Sequence, residues 1–402
     1  MCASLLSSPS FRSLWLGQTF VLCASQFWFV ALTWLVLEKT GSGFSVSLVL
    51  MAAAIPRGLF MLLGGAISDR LATSLVATAA AAVNAVLIGF VAILLFFNIF
   101  SLSALVLAAT LFGLSEAFLY PALLALVPQL ALNKHLKDAN AWMQGSEQIT
   151  NVVGPAMAGI VLGVFGLSAA FAINTGLMAI GSGLISCIKR RRSQSLERIG
   201  SGTLTKEIVE GLRYAWRQSA VRFSLILIAM INLALLGPVV IGVAELVRTR
   251  FDGSATTFGY LQSAYGVGAL LGVLLASRLD AVRELRVPLI LLTYSLGIEL
   301  IMLGLAQNIW VSAIIIALMG VGGGSIGVLG LTWLQQKTTT HMQGRMMSLV
   351  MFAAVALDPF SQAISGALVE VSLVGLFATA GSMMLLTAFL ASPNRLTCRP
   401  TK

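Results

Sequence analysis

Long apolar stretches, each about as long as a membrane-spanning helix, recur along the entire chain. A helix that crosses the hydrocarbon core of a bilayer needs about 20 apolar residues. These stretches are apolar on all faces and do not alternate with a period of two, which favours helices over barrel strands. The twelve predicted spans are approximately 14–37, 44–68, 73–97, 102–127, 140–165, 167–188, 222–247, 256–278, 287–306, 309–334, 345–370 and 372–392. Most connections are short, so the sequence predicts an all-α membrane protein built as a bundle of antiparallel neighbours.

The composition excludes the main classes of soluble protein. Only 10% of the 402 residues are charged and 58% are hydrophobic, with a mean hydropathy of +0.95. Soluble domains have about a quarter of their residues charged, and a globule of this length could not cover its surface with so few charges. A soluble enzyme, a disordered protein and a disulfide scaffold are therefore excluded. The first apolar stretch lacks a cleavage motif and is expected to remain as a helix.

The distribution of cations predicts the orientation in the membrane. Of the 25 Lys and Arg residues, all but four fall on one side of the predicted bundle; Lys39, Arg248 and Arg250 fall on the other, and Arg57 within a span. By the positive-inside rule, both termini and the central loop are expected to be cytoplasmic. The basic run at 189–192 could alternatively touch acidic lipid headgroups. A topological role is favoured, and no nucleic-acid partner is expected.

The chain is predicted to contain two related halves. A hydrophilic linker at 189–221, with an amphipathic helix, separates an N-terminal half at 1–188 from a C-terminal half at 222–402. GGAISDRL in the second span corresponds to GVLLASRL in the eighth, and a Gly-Pro pair in the fifth corresponds to an Asp-Pro pair in the eleventh. Two six-helix repeats related about the membrane normal are typical of alternating-access transporters, whose substrate site lies between the halves near the midplane.

Several longer motifs connect the chain to a known family. The segments are FRSLWLGQ at 11–18, TWLVLEKTGS at 33–42, YPALLALVPQL at 120–130 with DANAW at 138–142, VVGPAMAG at 152–159 and EIVEGLRYAWRQ at 207–218. With GGAISDR at 64–70, they give a chain that resembles the major facilitator superfamily over essentially its whole length. Within it, the sequence is similar to bacterial exporters such as the enterobactin exporter and macrolide efflux proteins.

The resemblance implies a secondary transporter of a bacterial inner membrane, with gating residues at helix ends. Asp69 and Arg70 are similar to the family's loop motif, although the usual basic residues after it are replaced here. Arg278 lies at the matching place in the second half, but its neighbour is a serine rather than an acid. Gly154 and Pro155 resemble the family's antiporter motif, which favours export. The alternative for this pair is ordinary helix packing at a proline kink.

Acidic residues inside predicted spans are candidates for proton coupling. Charges in a membrane are expensive and usually face a cavity or an ionic partner. A carboxylate shielded from water holds its proton more tightly and can exchange it near neutral pH. The candidates are Glu147, Asp358 and Glu116. The alternative is a static ion pair between one of these acids and Arg57, which joins two helices.

Polar and aromatic residues on the same spans predict a cavity for an amphiphilic compound. Glu147 belongs to a polar stripe with helical spacing in the fifth span, and Tyr120 lies one turn from Glu116, within reach of a hydrogen bond. The candidates for the cavity are Gln18, Gln26, Trp28, Trp34, Arg57, Tyr120, Gln144, Gln148, Asn151, Gln262, Tyr265 and Gln362. The alternative for each aromatic side chain is contact with lipid. Arg57 could instead neutralise an anionic substrate.

The sequence favours transport over catalysis. The segment GGSIG at 323–327 fits a serine-hydrolase pattern but lies within a predicted membrane helix, and both histidines lie in loops. No metal-ligand cluster or nucleotide-binding motif is present, so neither a metal nor a cofactor is expected. The expected function is proton-coupled export of a drug-like or siderophore-like compound by a monomer surrounded by lipid. The alternatives are a lysophospholipid or nutrient importer of the same fold and a non-transporting membrane sensor.

Overall fold

The computed structural model describes most of the chain as helices. The described residues are 8–70, 72–131, 136–188, 213–214, 216–251, 253–276, 285–338, 349–350, 353 and 355–392, with backbone alone at 62–70, 137, 219–220 and 335–337. The helices are α1 Pro9–Thr40, α2 Gly43–Arg70, α3 Thr73–Phe96, α4 Leu102–Leu130, α5 Leu136–Ser186, α6 Ser219–Gly237, α7 Val243–Arg250, α8 Ala255–Ala276, α9 Arg286–Leu305, α10 Ile309–Lys337, α11 Asp358–Val371 and α12 Leu373–Ala391. Within these residues all regular structure is helical, so the predicted all-α class is confirmed.

The described segments contain 10 helices that are long and apolar enough to cross a membrane. One of them, α5, includes two predicted spans. It has 51 residues and would measure about 77 Å as a straight helix, long enough to cross a bilayer twice. It is interrupted at Gly166, where φ is 76° and ψ is 178°, a conformation that glycine tolerates and other residues avoid. The predicted eleventh span, 345–370, is described mainly by the shorter α11. The prediction of twelve spans remains a prediction.

The described chain divides into two compact units, of which the first comprises residues 1–200 and 253–263. In this unit α1 packs along α5, α2 along α4, and α3 against α4 and α5. Glycines permit the close approach: a Cβ atom on Gly181 would lie 2.7 Å from the side chain of Val21, and one on Gly17 would lie 2.8 Å from Ile185. Helices in lipid associate through this kind of close packing rather than through a hydrophobic driving force.

The first turns of α8 also belong to this first unit and pack on α5. A Cβ atom on Gly159 would lie 2.8 Å from the Ala255 carbonyl oxygen and 2.9 Å from the Cα atom of Gly259. The hydroxyl of Thr256 donates to the Gly159 carbonyl at 3.0 Å, and that of Ser263 donates to a carbonyl on α5 at 2.7 Å. Backbone contact and hydroxyl hydrogen bonds therefore hold these two helices together.

The second unit comprises residues 201–252 and 264–402. Here α6 continues through a π-helical turn, Pro238–Gly242, into α7. Proline has no backbone N–H to donate, so Pro238 explains why the pattern of helical hydrogen bonds changes here. α11 packs against α6, and α9 packs against α12 and α10. The backbone N–H of Gly237 donates to the Ser361 hydroxyl at 2.9 Å, which joins α6 to α11.

Some predictions fall on parts of the chain that the structure does not describe. Arg278 and most of the linker at 189–221 lie outside the described residues, and Asp69 and Arg70 are described by their backbone alone, at the end of α2. The predicted gate and the predicted amphipathic helix therefore stay predictions. Of the linker's last residues, Trp216 is 67% exposed, and the Arg222 guanidinium lies 5.8 Å from its ring centroid.

Candidate functional site

The polar stripe predicted in the fifth span lies on the N-terminal part of α5 and faces α1 and α4. Its central acid is Glu147, which receives a hydrogen bond from the Tyr120 hydroxyl of α4. A small cavity of about 20 Å³ adjoins this pair. The residues that line it are Gln18, Leu22, Tyr120, Leu123, Leu124, Val127, Asn140, Met143, Gln144 and Glu147. This volume admits about one water molecule.

Gln18 adds a polar group to this cavity from α1. The residue is 5% exposed, and its Oε1 atom has no hydrogen-bond partner among the described residues. Buried polar atoms almost always have a hydrogen-bond partner. An amide oxygen beside a space of this size is suited to accept a hydrogen bond from a water molecule. The structure thus brings together four residues predicted from the sequence: Gln18, Tyr120, Gln144 and Glu147.

A second acid, Glu116, lies one turn before Tyr120 on α4 and is held by three other helices. Its Oε1 atom accepts hydrogen bonds from the Ser25 hydroxyl of α1 at 3.1 Å and from the Asn84 amide of α3 at 3.2 Å. Arg57 of α2 interacts electrostatically with it. The sequence places Tyr120 within hydrogen-bonding reach of Glu116. In the structure the Tyr120 hydroxyl bonds to Glu147 instead, and Glu116 interacts with Tyr120 electrostatically.

Arg57 therefore has a defined environment within the first unit. Its guanidinium carbon lies 5.9 Å from the ring centroid of Phe29, a distance at which a cation is attracted to an aromatic face. It follows Pro56, which lies inside α2. The sequence leaves open an ion pair and an anionic substrate for Arg57, and its electrostatic interaction with Glu116 favours the ion pair.

Two residues of this network were not predicted as site residues. Ser25 is 7% exposed and Asn84 is fully buried. A serine in an apolar helix gives no specific signal, because its hydroxyl commonly bonds to the preceding turn. Asn84 did give a specific signal, because it is the only amide side chain in the α3 sequence. An amide in a membrane span needs a hydrogen-bond partner inside the protein.

Other candidates on α1 are placed mainly by packing. Gln26 donates from its amide to the Asn151 side chain of α5 at 2.7 Å, joining two predicted cavity residues. Trp28 is fully buried and stacks on Phe112, with ring centroids 4.9 Å apart. Trp34 is 9% exposed and donates from its indole nitrogen to Glu38 at 3.0 Å.

The remaining candidates of the first unit lie along α5 and α8. Gly154 is buried, and a Cβ atom on it would lie 2.7 Å from the Cβ atom of Gln26. Pro155 is buried in the same helix, and a Cβ atom on Gly259 of α8 would lie 2.5 Å from its carbonyl oxygen. Gln148 is half-buried on α5 and Gln262 is half-buried on α8. The Gly-Pro motif thus has a packing role in this structure.

One buried acid of the second unit is Asp358, at the start of α11. It is 4% exposed, and Gln362, one turn later, is 7% exposed. Tyr265 of α8 lies in the same unit, where a Cβ atom on Gly323 would come within 2.7 Å of its hydroxyl. Two further intramembrane acids have local partners: Glu245 forms an ion pair with Arg248 at 2.6 Å, and Glu299 accepts a hydrogen bond from Ser295 at 3.3 Å.

The family is established by comparison with known proteins. The profile of the transmembrane secretion effector family, part of the major facilitator superfamily, matches residues 2–398. The chain belongs to this family. The predicted resemblance is thus confirmed, and the protein is a multi-pass membrane transporter rather than an enzyme.

Two relatives of this transporter are efflux proteins of low identity. The multidrug efflux pump Tap of Mycolicibacterium fortuitum is 25% identical over 360 residues, which cover 87% of this chain and 86% of that protein. Macrolide efflux protein A of Streptococcus pyogenes is 23% identical over 345 residues, 84% of each chain. The sequence-based similarity to macrolide efflux proteins is therefore confirmed.

Solved transporter structures share the fold of this family member. A bacterial homologue of the iron transporter ferroportin, in an inward-facing state, gives a TM-score of 0.75 at 16% identity over 95% of this chain and 98% of that chain. The transporter PepTSo of the POT family gives 0.75 at 13% identity over 95% and 96%. At these identities the likeness shows the fold alone.

Proposed function

We propose that this transporter is a proton-coupled exporter, an antiporter, of an amphiphilic organic compound such as a drug or siderophore. It works by alternating access between two six-helix halves, 1–188 and 222–402, which the linker 189–221 joins. The main support is the hydrogen-bonded pair Tyr120–Glu147 beside a small cavity lined by polar and apolar side chains inside a membrane protein. A partly buried carboxylate exchanges protons more readily near neutral pH than a fully exposed one.

Export is favoured by the relatives and by one motif. Tap and Macrolide efflux protein A are both named as efflux proteins, and the matches cover most of each chain. Gly154 and Pro155 resemble the antiporter motif of the superfamily. The close packing of this segment agrees with a structural role in the same cycle, because a transporter must seal one side while the other is open.

An amphiphilic substrate is favoured by the mixture of side chains near the site. The Gln18 amide lines the cavity together with Tyr120 and several leucines, and the Gln26 amide bonds to Asn151. Apolar pockets with a few polar groups suit such compounds. Asp358 and Gln362 are a second buried polar pair, on α11. We place Asp358 as an alternative proton carrier in the C-terminal half.

The orientation follows from the cation distribution. Both termini and the linker are placed in the cytoplasm of a bacterium, and the transporter acts as a monomer surrounded by lipid. Asp69, Arg70 and Arg278 are assigned to the cytoplasmic gate. A two-state ion pair at such a position would hold one conformation and release in the other.

Transport into inverted membrane vesicles tests this proposal. Vesicles that contain the transporter should accumulate a radiolabelled macrolide or ethidium when their interior is acid, and collapse of the pH gradient should stop the uptake. Glu147→Gln should abolish gradient-driven uptake, because the amide binds no exchangeable proton. Glu299→Gln is the matched control: it removes another intramembrane acid, outside the network around Glu147, and should keep most of the activity.

Three results would contradict the proposal in different ways. Uptake that is insensitive to the pH gradient would exclude proton antiport. Movement of the probes in the opposite direction would indicate an importer of the same fold. The absence of any protein-dependent transport across a panel of amphiphilic compounds would favour a membrane sensor.

A further inference from the structure

The small cavity beside Glu147 adjoins both a buried and an exposed part of the first unit. Gln18 of α1 is buried at its wall, whereas Asn140 and Gln144 of α5 are exposed. Polar side chains in a membrane span avoid lipid, so we expect these two amides to face water. Glu147 is half-buried and lines the same cavity. The cavity therefore lies between the aqueous face of α5 and the Glu147 carboxylate.

The size of the cavity limits what it can hold. At about 20 Å³ it has room for about one water molecule and is too small for an organic compound. Every side chain that lines so small a space contacts its occupant, so one water molecule would touch both Gln18 and Glu147. The apolar side chains of the wall offer it no hydrogen bond. Its polar partners are the amides, the Glu147 carboxylate and the Tyr120 hydroxyl.

The amide oxygen of Gln18 is a second and independent indication of a water site. Gln18 is 5% exposed, and its Oε1 atom has no hydrogen-bond partner among the described residues. A buried acceptor without a partner costs free energy, and buried water molecules typically make about three hydrogen bonds to such groups. A water molecule can donate one O–H group to Gln18 Oε1 and the other to Glu147. The exposed amides of α5 can then donate to its oxygen.

We propose that Gln18 is a positioning residue that binds one water molecule in this cavity, and that this water carries protons between the aqueous face of α5 and Glu147. The inference rests on the proposed function and specifies how the proton reaches the acid. The oxygen of the bound water accepts a proton from outside water, and one of its own protons passes to a carboxylate oxygen of Glu147. One O–H bond forms on the bound water and one on the carboxyl group, while the outside donor and the bound water each lose one. The bound water is thus regenerated, and Gln18 orients it without gaining or losing a proton.

Infrared difference spectroscopy on purified protein detects the bound water without any transported compound. The difference between spectra recorded at acid and neutral pH should contain a water O–H band that shifts when H₂¹⁸O replaces ordinary water. Gln18→Leu keeps an uncharged side chain of similar size and removes the acceptor, so the band should disappear. Gln18→Asn keeps an amide oxygen and leaves more room for water, so the band should remain.

Gln129→Leu is the matched control for Gln18→Leu. Gln129 of α4 does not line the cavity, and its amide donates to the Thr73 hydroxyl at 3.0 Å. Its replacement removes an amide of the same unit that already has a partner. The water band should therefore be unchanged in this variant.

Transport in inverted vesicles distinguishes the positioning of water from helix packing. Ethidium uptake driven by a pH gradient requires proton transfer at Glu147, whereas exchange of internal for external ethidium without a gradient does not. Gln18→Leu should lower gradient-driven uptake about fivefold to tenfold, the factor that the loss of one hydrogen bond gives, and leave the exchange rate unchanged. Gln18→Asn should recover most of the uptake, and Gln129→Leu should change neither rate.

Four results would overturn the proposal. The first is a water band that persists in Gln18→Leu, and the second is gradient-driven uptake that this variant does not change. The third is an equal fall in uptake and exchange, which would assign Gln18 to packing or to contact with the transported compound. The fourth is a Gln18→Asn variant that behaves like Gln18→Leu, because the amide oxygen would then not be what matters.

Failure of this inference is distinguishable from failure of the proposed function. If wild-type uptake depends on the pH gradient and Gln18→Leu leaves it unchanged, antiport stands and the proton route through this water is wrong. If the water band depends on Gln18 while wild-type uptake ignores the gradient, the water site stands. Antiport, and with it proton transfer through the site, is then wrong.

Discussion

A carboxylate inside a membrane protein needs partners, and Glu116 has them from three neighbouring helices. Ser25 and Asn84 donate hydrogen bonds to one oxygen, and Arg57 supplies a compensating charge. Among the described side chains, the contact seen for Glu147 is with the Tyr120 hydroxyl, beside a small cavity. The two acids therefore have different environments, and we expect this difference to give Glu116 a structural role and Glu147 a proton-carrying one.

At the same scale, Trp28 is expected to stabilise the fold rather than to bind substrate. It is fully buried, stacks on Phe112 and meets the edge of Phe171 at 5.7 Å between ring centroids. Trp28→Ala leaves a cavity between three helices. Because lipid is as apolar as the protein interior, moving the side chain between them contributes little, and the lost packing contacts dominate. We therefore expect the free energy of unfolding to fall by about 2–3 kcal/mol.

Unfolding by SDS in detergent micelles measures this loss, and Trp310→Ala is the control. Trp310 is 76% exposed, so its removal should change the unfolding free energy little. Trp28→Phe keeps a stacking ring and should recover a large part of the loss. If Trp28→Ala leaves stability unchanged but raises the KM of transport, the sequence-based assignment of Trp28 to the cavity is correct instead.

The site residues could be predicted from sequence where polarity contrasted with apolar surroundings. Glu116, Glu147 and Arg57 stood out because charges are rare in the spans. The pairing of Tyr120 with Glu147 could not be predicted, since it depends on how α4 faces α5, and helical spacing only orders residues within one helix. Trp28 could not be assigned either, because an aromatic side chain in a membrane span suits core, lipid and cavity alike.

At the scale of helices, span positions were well predicted and interruptions were not. The predicted spans 73–97 and 309–334 lie close to α3 and α10. Hydropathy finds the membrane segment but not where a helix continues beyond it, as α1 does at both ends. The π-helical turn after Gly237 was not predicted, because Pro238 could equally have produced a simple kink.

The contact between α5 and the start of α8 gives a prediction of its own. A Cβ atom on Gly163 would lie 3.5 Å from the Cβ atom of Thr256, at the short end of the Cβ separation found in disulfides. In a background without the four native cysteines, Gly163→Cys/Thr256→Cys should therefore oxidise to a disulfide. After the connection between α5 and α8 has been cleaved, the disulfide is detected as a mobility shift on non-reducing gels.

The matched control for this pair is Gly176→Cys/Thr256→Cys. A Cβ atom on Gly176 would have no neighbour within 4 Å, so no disulfide should form. Failure of the first pair to oxidise, with both cysteines reactive towards a small maleimide, would show that α5 and α8 do not pack in this way in the membrane.

At the scale of the molecule, we expect the charge bias to determine which ends of the helices face the cytoplasm. The helix ends agree with short turns: α1 ends at Thr40 and is capped by Gly41, whose φ of 66° is left-handed, and α2 begins at Gly43. Turns this short force neighbouring helices to be antiparallel. Once one connection is assigned to a side, the others follow by alternation.

This alternation predicts the accessibility of single cysteines in intact cells. Ser42→Cys and Asn308→Cys lie in connections assigned to the outer side, whereas Arg213→Cys lies in the cytoplasmic linker. A membrane-impermeant maleimide should label the first two in intact cells and the third only in inverted vesicles. Asn308 follows α9 and Ser42 follows α1, so the pair tests the orientation of both predicted halves. Labelling of Arg213→Cys in intact cells would reverse the assigned orientation. Two parallel repeats require both halves to have the same topology. If only one of Ser42→Cys and Asn308→Cys were labelled in intact cells, the halves would not share that topology.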